Sequence, residues 1–141
     1  MKSLIVEKSK IKNNIKVVKE IINKQDKSDN GEKVKIIAVV KGNGYGLGLV
    51  EYVRFLIDNG IDIFAVATVE EAIKLRENGI KKDILMMSST AVEEDIEKLI
   101  KNGIILTIGS KESGEAVEKI AQKLGQTARV HLKIDTGFGR Y

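Results

Sequence analysis

An α/β fold with a parallel sheet, of about five strands alternating with helices, is what this sequence predicts, and three observations predict it. Short runs rich in Ile, Val and Leu recur along the 141 residues. Between them, apolar residues fall at helical spacing. The helical stretches end repeatedly on Asn-Gly-Ile. Continuous apolar runs suit strands covered on both faces, and their alternation with helices is the pattern of successive βα units.

The elements follow in order. A helix over 9–24 is read from Ile11, Ile15, Val18 and Ile22. The run 34–40 is the first strand, and 47–59 forms a helix with Val50, Val53 and Ile57 on one side. Strands follow at 63–67, 84–88, 104–108 and 129–134, separated by helices at 69–78, 92–102 and 112–124. The last of these carries Ala116, Val117, Ile120, Ala121 and Leu124 on its apolar side. Asn59-Gly60-Ile61, Asn78-Gly79-Ile80 and Asn102-Gly103-Ile104 end three helices, with a glycine free to turn left-handed, and Gly125 ends the last. Thr68 with Glu71, and Thr90 with Glu93, have capping-box spacing.

Two architectures accommodate such units, an open doubly wound sheet and a (β/α)8 barrel. The glycines after the first strand stand at 42, 44, 46 and 48. That is not the G-x-G-x-x-G spacing of a dinucleotide fold, and no Gly-Lys-Ser/Thr closes the loop as a P-loop requires. The barrel is therefore preferred, as a partial one, because a complete barrel takes about 250 residues. A partial barrel leaves strand edges and apolar surface uncovered. Dimerisation, marginal stability or a complementing second piece is the expectation.

Composition excludes several functions. There is no cysteine, hence no disulfide and no thiolate metal site. Basic side chains outnumber acidic ones only 24 to 20, are scattered among them, and include four arginines, Arg54, Arg76, Arg129 and Arg140. This is not the clustered surface of a nucleic-acid binder. No apolar run has the length of a membrane span, and the start of the chain lacks the apolar core of a signal peptide. A cytoplasmic protein that binds neither nucleic acid nor membrane is the reading. His131 is the only histidine; with no other ligands beside it in sequence, it is read as a structural strand residue and no metal is expected. Asp135-Thr136-Gly137 spells the aspartic-protease triplet, but that chemistry needs two such carboxylates and only one copy exists.

Lys41 is the first chemical candidate. It follows Ile37 and Val39 onto one face of its strand. On a barrel that face points inward, at the C-terminal rim where active sites lie. A second candidate group is the strand 129–134, where Arg129, His131, Lys133 and Asp135 alternate onto one face and Val130, Leu132 and Ile134 onto the other. A solvent-exposed edge strand explains such alternation most cheaply; inside a closed barrel the polar row would instead line the lumen and rim, where it requires partners.

The stretch Val39-Val40-Lys41-Gly42-Asn43-Gly44-Tyr45-Gly46-Leu47-Gly48 resembles the cofactor-lysine motif of the alanine racemase family. Val130-His131-Leu132-Lys133-Ile134-Asp135-Thr136-Gly137-Phe138-Gly139-Arg140 resembles that family's second signature. Leu47 stands where the family usually has histidine, and Gly42 and Gly44 where it has alanines. The resemblance implies that residues 1–141 are the N-terminal part of a barrel domain that binds pyridoxal 5'-phosphate (PLP), with the later barrel strands and a β domain absent. It implies interconversion of L- and D-alanine, with racemases of lysine, ornithine or serine, or a non-catalytic PLP-binding module, as alternatives. Lys41 would hold the cofactor and act as acid and base on one face of the substrate Cα. Tyr45 would bond the phosphate. Arg140 would lie near the cofactor's phenolic oxygen and the substrate carboxylate, and Lys133 matches a lysine that many members carry in carbamylated form. The expected partners are a small amino acid and either a second copy or a complementing C-terminal polypeptide, and the 141 residues alone are expected to be inactive or nearly so.

Overall fold

The computed structural model describes residues 5–25 and 34–139. The chain divides into two compact units, one up to Ile36 and one from Ile37 onward. In the first, α1 spans Lys8–Gln25, where the apolar spacing places it.

The second unit runs β1 (Ile37–Val39), α2 (Lys41–Tyr45), α3 (Leu49–Asp58), β2 (Ile63–Val66), α4 (Val69–Glu77), β3 (Asp83–Met86), α5 (Glu93–Lys101), β4 (Leu106–Ile108), α6 (Lys111–Leu124) and β5 (Val130–Leu132). All strand pairs are parallel: β1 with β2, β2 with β3, and β4 with β5. A parallel bridge between Leu85 and Ile105 joins the two groups. Strands therefore lie side by side in the order in which the chain makes them. A doubly wound sheet reverses that order at a switch point, whereas a barrel never does. This is the partial (β/α)8 barrel that the sequence predicts.

Register sorts the sheet into two faces. Phe64, Val66, Ile84 and Ile104 are almost wholly buried on the face that the helices cover. Those helices contribute Val53, Leu56, Leu75, Ile96, Leu99, Val117 and Ile120. On α3 the buried stripe is Leu49, Val50, Val53 and Leu56; Ile57 lies at its edge and is half-buried. The inner face carries a smaller cluster of Ala65, Leu85 and Ile105 with Met87 packed against it. Ile37 and Val39 belong to this face and remain partly exposed, at 41% and 38%.

The three Asn-Gly-Ile segments build one motif. Each glycine turns left-handed, at φ 76° (Gly60), 79° (Gly79) and 61° (Gly103). The isoleucine amide then bonds a leucine carbonyl one turn back: Ile61 to Leu56 (3.1 Å), Ile80 to Leu75 (3.1 Å) and Ile104 to Leu99 (3.0 Å). These are Schellman endings, each with its apolar pair buried.

Helix starts are less uniform. Thr68 caps α4 by accepting the Glu71 amide (3.2 Å). Thr90 does not cap α5, contrary to its spacing. That helix begins after Val92, and the Thr90 hydroxyl accepts the Val92 amide in a local turn instead (3.1 Å). Glu93, Glu94 and Asp95 complement the positive end of α5. A complete capping box occurs at α6, between Ser110 and Ser113. No helix among the described residues is long and apolar enough to cross a membrane.

Candidate functional site

The site begins where β1 runs into α2. Helix α2 is a single left-handed turn: φ is 64° at Gly42, 53° at Asn43, 66° at Gly44 and 54° at Tyr45. The Gly44 amide bonds the Val40 carbonyl (2.9 Å), and the Gly46 amide bonds Gly42 (3.1 Å). Left-handed helical geometry costs an L-residue about 1–2 kcal/mol, because Cβ crowds the following carbonyl. Glycines carry two of the four positions free of that penalty, and at Gly44 a methyl would also sit 3.3 Å from the Tyr52 ring. Asn43 and Tyr45 bear the penalty.

Asn43 is held from three directions. Its side-chain carbonyl accepts the Leu49 amide at the start of α3 (3.1 Å). Its main-chain carbonyl accepts the Gly46 (3.2 Å) and Gly48 (3.0 Å) amides. Its own amide donates to a Glu71 carboxylate oxygen (3.0 Å). The other Glu71 oxygen accepts the Ala67 amide at the end of β2 (3.1 Å). Glu71 therefore does not return the usual capping-box bond to Thr68 but ties the lysine turn to the neighbouring strand.

At the C-terminal ends of the strands lies a cleft of about 580 Å³. Lys41 and Tyr45 enter it from the lysine turn, Met87, Ser88 and Ser89 from the segment after β3, and Lys133 from just beyond β5. The structure thus brings together three of the four residues, Lys41, Tyr45, Lys133 and Arg140, to which the resemblance gives a role. Arg140 lies outside the described residues. The Lys133 amine donates to the Met87 carbonyl (3.3 Å). The Ser88 hydroxyl donates to Ala67 (2.7 Å), and the Ser89 hydroxyl accepts the Gly109 amide (3.1 Å), which leaves the Ser89 proton free to meet a ligand.

Of the polar row, Arg129, Lys133 and Asp135 are bonded, while β5 itself is exposed along its length. Arg129 forms a two-pronged ion pair with Asp83, the first residue of β3 (2.7 and 3.0 Å). One Asp135 oxygen accepts the amides of Gly137 (2.8 Å), Phe138 (2.8 Å) and Gly139 (3.2 Å), shaping the turn that leads toward Arg140. His131 is exposed. No group of metal-ligating side chains exists among the described residues. Sequence reasoning passed over Glu71 and the two serines. Glu71 was legible only as half of a capping box, and Ser88-Ser89 carries no spacing signal.

Known proteins resemble the chain throughout. Residues 6–141 match the family model described as alanine racemase, N-terminal domain. An alanine racemase of Methanococcus maripaludis is 42% identical over 135 residues, which cover 96% of this chain and 34% of that protein. Among solved structures, the alanine racemase from Bacillus anthracis with bound L-Ala-P has TM-score 0.80 and 32% identity, over 96% of this chain and 33% of that one. The histidine racemase from Leuconostoc mesenteroides has TM-score 0.80 and 30% identity, over 94% and 33%. The chain spans about a third of the length of the relatives it matches.

Proposed function

The chain belongs to the alanine racemase N-terminal domain family, and from that premise we propose that residues 1–141 form the lysine-bearing part of the barrel of a cytoplasmic, PLP-dependent alanine racemase. The observation that carries the reading is the meeting of Lys41, Tyr45 and Lys133 in one cleft, from beyond the first and the last strand. The donor set fits the cofactor: amines and hydroxyls suit an aldehyde and a phosphate, and a few hundred Å³ is the usual scale of such a site.

When bound, PLP supplies an electron sink that acidifies the substrate Cα–H. Residues of this chain hold it and work on one face of Cα. Lys41 holds the cofactor through its amine and afterwards moves a proton at Nζ on one face of Cα. The Tyr45 hydroxyl donates to the phosphate. Arg140 binds the substrate carboxylate, for which a planar, permanently charged fork is suited. Lys133, in carbamylated form, orients Arg140. The acid on the opposite face of Cα is assigned to no residue of 1–141, so these residues alone turn over little or no substrate.

The test is borohydride reduction after incubation with PLP, followed by peptide mapping. A pyridoxyl adduct confined to Lys41, and abolished by Lys41→Arg, is expected. Absence of adduct, or labelling spread over many lysines, overturns the cofactor assignment. The likeness to a histidine racemase supports a second reading for the substrate: this part of the barrel serves amino acids other than alanine. Assay of the chain for D-alanine and D-histidine formation is expected to show neither at a normal rate. A normal rate with either would identify the substrate and overturn the incomplete-site reading.

A further inference from the structure

We propose that Glu71 is a positioning residue, which sets the direction in which Lys41 enters the cleft by holding the left-handed turn against the end of β2. The chemical role of Lys41 rests on the function proposed above, whereas the holding of the turn does not.

Glu71 is the third residue of α4, where a glutamate normally bonds back to the amide of its own cap. Here the carboxylate is diverted. One oxygen takes the Ala67 amide and the other reaches across to the Asn43 amide. Ala67 and the residues flanking Asn43 in the turn, Lys41 and Tyr45, face the same cleft. The carboxylate is thus a bridge behind the wall of the site, joining two of the strand ends that line it.

The bridge acts on the part of the chain with most reason to move. Asn43 has φ 53° and Tyr45 φ 54°, so the turn relaxes toward ordinary geometry unless other contacts oppose it. Asn43 has its side chain on α3 and its amide on Glu71. Release of the amide removes one of the three holds on the residue two places after Lys41. A hydrogen bond from an amide to a charged carboxylate is among the stronger ones available. Glutamine in its place keeps the shape and one acceptor but presents an NH2 group to a second N–H donor. Aspartate keeps the charge but is too short to bridge.

The experiment compares the unsubstituted chain with Glu71→Gln, Glu71→Asp and Thr68→Ala. It measures amide hydrogen exchange in the absence of PLP, and borohydride capture at Lys41 at limiting PLP. Glu71→Asp, too short to bridge, is expected to speed exchange at Asn43 about tenfold, and Glu71→Gln to do so at whichever of the Asn43 and Ala67 amides its one oxygen no longer serves. Exchange at Ile105, which bonds Ile84 within the sheet, stays unchanged. Capture at Lys41 falls by a similar factor, while labelling of other lysines does not. Thr68→Ala loosens the start of α4 but leaves the Asn43 amide protected. Unchanged exchange at Asn43 in Glu71→Asp, or acceleration spread evenly over the sheet, overturns the proposal. So does undiminished Lys41 capture with Asn43 released. Should the unsubstituted chain show no selective capture, the cofactor reading fails, and exchange at Asn43 alone decides whether Glu71 holds the turn.

Discussion

The two ends of the half-barrel are built from different chemistry. At the N-terminal ends of the strands, guanidinium groups tie one βα unit to another. Arg54 of α3 donates to the Asn78 carbonyl beyond α4 (3.1 Å). Arg76 of α4 donates to Asn102 (2.8 Å) and Gly103 (3.1 Å) beyond α5, and also to Ile80 (2.6 Å) and Lys82 (2.8 Å). Arg129 joins β5 to β3 through Asp83. The same Schellman ending is used three times. At the C-terminal ends no two units are alike: a left-handed turn, a pair of serines and a strand-end lysine surround the cleft. Repetition serves stability at one end, and irregularity surrounds the candidate site at the other, which is the division expected of barrels.

Arg76 offers the sharpest way to break this division. Its partial burial lowers its pKa, with Asp83 opposing that shift, and its fork satisfies four main-chain carbonyls. Arg76→Ala leaves those carbonyls short of a donor and is expected to cost about 2–4 kcal/mol. Chemical denaturation reads the loss directly. Capture of PLP at Lys41, measured where the variant is still folded, should be unchanged. A variant that keeps its stability but loses capture would mean that the two ends are not separate in function.

Asn43 gives the opposite dissection at a smaller cost. Asn43→Ala keeps an L-residue at φ 53° and removes the bond to the Leu49 amide, so a loss of about 1–2 kcal/mol is expected. Asn43→Gly removes the same bond but relieves the backbone, and should lose less than the alanine variant. Reversal of that order in denaturation midpoints would show that the turn is not left-handed in solution.

What the sequence disclosed depends on how far apart the cooperating residues stand. A Schellman ending is written within six residues, so Asn59-Gly60-Ile61 and its two counterparts were legible. Strand order and the facing of Lys41 followed from alternation and from the failure of nucleotide-loop spacings. Lys133 could be placed by parity on the inner face of β5, but only the fold brings it to the cleft beside Lys41. The arginine ties were not legible, since Arg76 meets Asn102 across 26 positions with no local signal. Alternate glycines announced an unusual loop. They did not announce that Asn43 and Tyr45 would share the left-handed geometry, because L-residues ordinarily resist it. Thr90 misled because capping spacing says nothing of where a helix starts, and the start of α5 is fixed by its buried Ile96 and Leu99.

The smallest expected effect belongs to neither end, and so calibrates both. On α5, hydrogen bonds from Lys101 and then Lys123 hold the Glu97 carboxyl below its usual range, and Lys98 does the same for Glu94. Lys98 is raised in turn, first by its bond to Glu94. A carboxylate whose folded pKa is depressed stabilises the fold above its unfolded value, about 4.3, and loses that contribution as pH falls through the folded value. A raised lysine contributes below about 10.4 and loses its share as pH climbs past that. The melting temperature should therefore be flat from about pH 5 to 10 and decline gently on either side. Glu97→Gln should shallow the acid limb, and about 1 M salt should shrink the gap between variant and parent, because these pairs are exposed. Arg76 makes its bonds to uncharged carbonyls from a partly buried position, so its contribution should survive the same salt. If salt removed both effects alike, the arginine ties would be surface electrostatics, and the contrast between the two ends would lose its physical basis.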